Sequence, residues 1–155
     1  MTESIEMFCM ACGEWVEDWG EHKCDSKYWV VTDRETVGIA KRLYNMGITP
    51  LSAIWTATEI SDWVDYSYRI NVKIDVGCRI SEAVLGELPS GWHYFWHTAP
   101  PVCVEMHMIA HSERWYNLGF ESMSERINEV IRGFEEFLDT RDPEAIKALL
   151  LLTSS

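Results

Sequence analysis

Four residues near the N-terminus have the types and spacing of a metal site: Cys9, Cys12, His22 and Cys24, in the pattern C-x2-C-x9-H-x-C. Thiolate sulfur and imidazole nitrogen are the donors that tetrahedral zinc takes. Two cysteines separated by two residues can bind one ion from a tight turn, and Gly13 directly after the pair lets the backbone bend close beneath it. His22 and Cys24, at i and i+2, share one face of an extended segment, so a short hairpin would gather all four donors. A shell of four protein ligands has no open position, which predicts a structural Zn2+ rather than a catalytic one. A redox pair is the weaker reading, because Glu14, Glu17 and Asp18 offer none of the positive potential that lowers a thiol pKa.

The segment resembles one half of a zinc ribbon, the Cys-x-x-Cys-Gly knuckle, with a histidine replacing one cysteine of the second pair; the resemblance spans residues 9–24. The expected organisation is a zinc-binding head over 1–30 and an α+β domain over 31–155. No linker rich in Gly, Pro or Ser follows the head, so it should be fastened to the domain rather than tethered.

A second constellation lies in two apolar runs, Trp92-His93-Tyr94-Phe95-Trp96-His97 and Cys103 to His111, which hold four of the five histidines. If both are strands and neighbours, their register decides the chemistry, since a slip of one residue turns every side chain to the other face. One register sets His93 opposite His107 with Glu105 between and His97 nearby, a group able to bind a metal or run acid–base chemistry. The other sets Trp92, Tyr94 and Trp96 beside Glu105 and His107, a polar groove with aromatic walls. The chain carries eight Trp, six Tyr and five Phe, mostly core material, although Trp15, Trp19 and Trp63 sit among acids. Ring faces and carboxylates side by side both favour positive charge.

The elements that must position these residues follow from periodicity. Thr32-Asp33-Arg34-Glu35 reads as a capping box opening a helix over 33–46, with Val37, Ala40, Leu43 and Tyr44 on one face and Gly47 and Pro50 ending it. Residues 51–60 and 66–76 read as strands, the second alternating apolar and polar along its length. Ser81 caps a short helix that Pro89-Ser90-Gly91 stops, and strands follow over 92–97 and 102–110. Ser122-Met123-Ser124-Glu125 reads as a second capping box before a helix whose Ile127, Val130, Ile131, Phe134 and Leu138 form one stripe. Asp142-Pro143 starts a last helix. Strands joined by short loops predict an antiparallel four-stranded sheet with helices packed on one face, preceded by the short zinc-knuckle head.

Thirteen Lys and Arg face 25 Asp and Glu, a net charge of -12, which argues against direct binding to duplex nucleic acid or to an anionic membrane. The acidic first thirty residues lack a signal-peptide core, so the expected compartment is the cytoplasm. The apolar Ala145 to Leu152 segment wraps a whole helix, and a homodimer is expected to cover it. No G-x-S-x-G, glycine-rich phosphate loop or H-E-x-x-H is present. The leading expectation is a non-enzymatic, zinc-stapled interaction module. Its protein partner or small ligand would meet an aromatic and acidic surface made by Trp92, His93, Tyr94, Trp96, His97, Glu105 and His107. Two alternatives belong to other classes: a small metal-assisted hydrolase using His93, His97, Glu105 and His107, and a phage-type acidic inhibitor presenting carboxylates to the basic cleft of a nucleic-acid enzyme.

Overall fold

Between residues 68 and 76 burial alternates with the sequence: Ile70, Val72, Ile74 and Val76 are fully buried while Arg69 and Lys73 are exposed. A strand with one dry and one wet face is the physical result, and a sheet forms around it. The computed structural model describes residues 6–16, 29–61, 66–77, 80–99, 104–115 and 120–153, the backbone alone for 60–61, 66–67, 96–99, 104–107, 120 and 153. In chain order the elements are β1 (Glu6–Cys9), β2 (Trp15–Val16), β3 (Trp29–Thr32), α1 (Val37–Asn45), β4 (Pro50–Ser61), β5 (Tyr66–Val76), α2 (Glu82–Leu85), β6 (Trp92–Ala99), β7 (Val104–Trp115), α3 (Phe120–Asp139) and α4 (Pro143–Thr153).

The expected α+β class holds, but the four-stranded antiparallel sheet does not. The strands form one seven-stranded mixed sheet in the order β2-β1-β3-β4-β5-β7-β6. β3 and β4 run parallel, joined through α1, and every other described pair is antiparallel. Two of the three extra strands, β1 and β2, come from the segment expected to stand before the sheet as a zinc-knuckle head, and β3 straddles the end of that segment, where Tyr28 to Val31 reads in the sequence as either a strand or a packed connector. Glu6 pairs with Thr32 and Cys9 with Trp29, so β1 is a sheet strand and Cys9 its last residue. The cause is long-range pairing: β1 is four residues long, too short to show a period of two, and its β3 partners lie 20 to 26 residues away. His22 and Cys24 lie outside the described residues.

α1 begins differently from the expected capping box. The Asp33 carboxylate, not the Thr32 hydroxyl, accepts the Glu35 and Thr36 N–H groups, at 3.1 and 2.9 Å. The helix ends at Gly47 (φ 85°), where Gly47 N–H bonds to Tyr44 O and Ile48 N–H to Leu43 O, each 3.0 Å. Its buried residues are Ile39, Ala40 and Leu43, and Tyr44 is 42% exposed. α3 begins at Phe120, so Ser122 is already helical; its stripe of Met123, Ile127, Val130, Ile131, Phe134 and Leu138 is buried. The Asp142 carboxylate accepts Glu144 N–H and caps α4. Among the described residues no helix is long and apolar enough to cross a membrane.

α1 and α3 pack together on the buried face of the sheet. The opposite face of β4, β5, β7 and β6 carries only half-buried or exposed described side chains. The sheet therefore has a helix layer on one side and an open surface on the other.

Candidate functional site

The β6–β7 ladder pairs Trp92 with His111, Tyr94 with Ile109, Trp96 with His107 and Thr98 with Glu105. Alternation then puts positions 92, 94 and 96 on the helix-covered side together with 105, 107 and 111. Positions 93, 95 and 97 fall on the open side. This is the aromatic one of the two registers the sequence allows. It divides His93 and His97 from Glu105 and His107, so that group of four does not converge on one face.

Three of the expected binding residues, Trp92, His93 and Tyr94, line a cleft of about 340 Å³ at the edge strand β6. Glu82 from α2 and Glu87 to Gly91 from the following loop complete it. Two glycines with positive φ shape this wall, Gly86 (89°) and Gly91 (90°), conformations that side chains with a Cβ rarely adopt. The Tyr94 hydroxyl donates to Gly86 O at 2.7 Å, fixing the ring across the cleft. Burial, reinforced by the Glu82 carboxylate and opposed by Arg141, pushes the Tyr94 phenol well above its ordinary range, so it stays a neutral donor. Trp92 forms the back wall, its ring 4.2 Å from that of Phe134.

Behind Gly91 lies a polar chain that runs from a buried histidine to a half-buried carboxylate and guanidinium. His111 is 5% exposed, and its Nε2 meets a Glu113 carboxylate oxygen at 3.2 Å. Arg126 grips the same carboxylate through two nitrogens, at 2.6 and 2.8 Å. That guanidinium holds the Glu113 carboxyl below its usual range, with smaller help from His111. The carboxylate is thus an acceptor, which assigns the His111 proton to Nε2. Nδ1 is buried with no hydrogen-bond partner among the described residues. A Cβ on Gly91 would come within 2.6 Å of the imidazole, so the glycine sits where only a bare α-carbon fits.

No protein-family model, curated protein or solved structure matches this chain. The reading of the site therefore rests on its geometry. Sequence reasoning missed Glu82, Glu87 and the His111–Glu113–Arg126 chain. Pro89-Ser90-Gly91 directly before an aromatic strand was the visible signal for the loop. Nothing local links Glu113 to an arginine thirteen residues later on a different element.

Of the proposed zinc ligands, Cys9 is buried and Cys12 exposed. The turn between them is closed by Gly13 N–H to Cys9 O and Cys9 N–H to Glu14 O, both 2.9 Å, with Gly13 at φ 74°. Among the described residues no three His, Cys, Asp or Glu side chains gather to hold a metal ion.

Proposed function

We propose that the protein is a binding module that seats a cationic group, carried by a small ligand or by a protein partner, in the cleft between α2 and β6. The observation that carries this reading is the convergence of Glu82 and Glu87 with Tyr94, Trp92 and His93 on one cleft of about 340 Å³. Carboxylates are pure acceptors at neutral pH, and aromatic faces add attraction for an ammonium or guanidinium. The walls are set before any ligand arrives, because Tyr94 is tied to Gly86 and Gly91 is wedged against His111. A preformed wall lowers the ordering cost of binding. Structural zinc held by Cys9, Cys12, His22 and Cys24 belongs to the same proposal; its support is the tight backbone turn from Cys9 to Gly13, which carries two cysteines three positions apart.

An NMR titration with arginine methyl ester and a short Lys/Arg peptide tests the location. The amides of Gly86 to Tyr94 should shift together and saturably, and those of α1 should stay still. Shifts confined to other elements, or none, refute the proposal.

A further inference from the structure

The two edges of the sheet are built differently. At one end β2 has only two residues, and shortness is one of the devices that keep an edge from pairing. At the other end β6 runs for eight residues, Trp92 to Ala99, with β7 on one side and no strand on the other among the described residues. The usual guards of an edge are missing from it. The strand contains no Lys, Arg, Asp, Glu or Pro, and it pairs with β7 residue for residue without a bulge. Phe95, on its open side, is 46% exposed. Trp92 N–H donates to Pro89 O at 3.0 Å, so it points away from β7. Backbone groups alternate along an edge strand between its partner and the outside, which puts those of Tyr94, Trp96 and Thr98 on the outer edge as well. A long, regular edge without charge is a template for another strand.

The α2–β6 cleft opens onto this same edge. Trp92, His93 and Tyr94 are consecutive, and consecutive side chains of a strand point to opposite faces, so one cleft touches all three only from beside the strand. We propose that the partner is an extended segment of another protein, which adds to β6 as a further strand and places a Lys or Arg side chain in the cleft. The inference rests on the reading of the cleft as a cation site and narrows its ligand to a peptide. In strand addition, main-chain hydrogen bonds give affinity and side-chain pockets give specificity. Charge selects the occupant. Glu82 and Glu87 stand at the Trp92 end of the strand and favour a cationic segment, whereas a second copy of this chain would bring another net charge of -12. Phe95 and His93, with ring centroids 6.2 Å apart on the open side, favour β-branched residues at alternate positions of the added strand. The step from Tyr94 to Thr98 is roughly 13 Å at about 3.3 Å per residue, so a segment of about seven residues covers the outward groups and reaches the cleft.

The experiment uses the full chain and the peptide Arg-Val-Thr-Val-Thr-Val-Arg, amidated at its C-terminus and compared with arginine methyl ester. Two further versions carry backbone N-methyl groups, one on the two threonines and the other on two successive valines. They have the same charge and block opposite edges of the peptide strand, so the fold of the protein is not at risk. The unmodified peptide should bind about tenfold or more tighter than the ester, from a few added backbone hydrogen bonds. One N-methylated version should fall back to the level of the ester while the other keeps the affinity of the parent peptide. In NMR hydrogen exchange the amides of Tyr94, Trp96 and Thr98 should become protected by the peptide and not by the ester. If both N-methylated versions bind like the parent, or the peptide binds no tighter than an ester that does shift Gly86 to Tyr94, strand addition is overturned and the cation site stands. If neither ligand binds, both fall. Protection of the same amides without peptide, lost on dilution, overturns the proposal in favour of pairing between two copies of this chain.

Discussion

Replacing Asp33 probes the corner where the parallel pair β3–β4 meets α1. Its carboxylate is 2% exposed and accepts four hydrogen bonds: from Glu35 N–H, Thr36 N–H and the Thr36 hydroxyl on Oδ1, and from Trp55 N–H on Oδ2 at 3.1 Å. Burial raises its pKa, and the donors from Thr36 and Trp55 pull it back. Asp33→Ala strands the Thr36 and Trp55 N–H groups, each an orphan donor worth about 1–3 kcal/mol. Removing a buried charge returns part of that sum, leaving an expected loss of about 2–4 kcal/mol, above the ordinary value for a cap. Asp33→Asn keeps the shape but turns an NH2 toward one of those donors, so it should still cost about 1 kcal/mol or more. Urea unfolding at pH 7 followed by tryptophan fluorescence measures both. If Asp33→Asn matches the parent, or Asp33→Ala costs less than about 0.5 kcal/mol, then the corner does not depend on these bonds and the reasoning fails.

Gly91→Ala should destabilise by about 2–4 kcal/mol, combining positive φ with a Cβ driven into the His111 ring. Gly133→Ala, exposed within α3 with nothing within 4 Å, should stabilise by about 0.5–1 kcal/mol; thermal denaturation showing the same sign for both contradicts the packing described. Because Arg126 holds the Glu113 carboxyl below its usual range, the unfolded chain binds more protons there at acid pH. The pair's stabilisation is therefore present above the ordinary glutamate range and lost as pH falls through it toward the folded value. Arg126→Gln should flatten that slope in denaturant titrations, and an unchanged slope counts against the pair. Elemental analysis of protein purified without added metal should give one zinc per chain, reduced by Cys12→Ser; a stoichiometry near zero removes Zn2+ from the proposal.

What was legible in the sequence were elements whose signal is local. The alternation from Tyr66 to Val76 marked β5, the stripe from Ile127 to Leu138 marked α3, and Ser81 and Asp142 do cap α2 and α4. Sheet membership was not legible, because β1 and β2 hold four and two residues, and the parallel β3–β4 pairing is made across a helix. The α1 stripe was right at Ala40 and Leu43 and rotated at its edge: Tyr44 and Ile39 are both apolar enough to qualify, and only the position of the sheet decides that Ile39 is buried and Tyr44 exposed. The register of β6 on β7 was open for the same reason, and with it the grouping of the histidines. The cleft was half visible, since Trp92, His93 and Tyr94 share a strand while Glu82 and Glu87 reach it from a separate helix and loop.

Recognition of positive charge is the role proposed for the α2–β6 cleft. Calorimetric titration of the Lys/Arg peptide into the parent and into Glu82→Gln/Glu87→Gln tests it most directly, because the double variant keeps the cleft's shape and removes its charge. Two charge-assisted hydrogen bonds at about 1.5 kcal/mol each predict a loss of about 3 kcal/mol, on the order of a hundredfold in affinity. An affinity that stays within about twofold of the parent, a difference of about 0.4 kcal/mol, would contradict the claim.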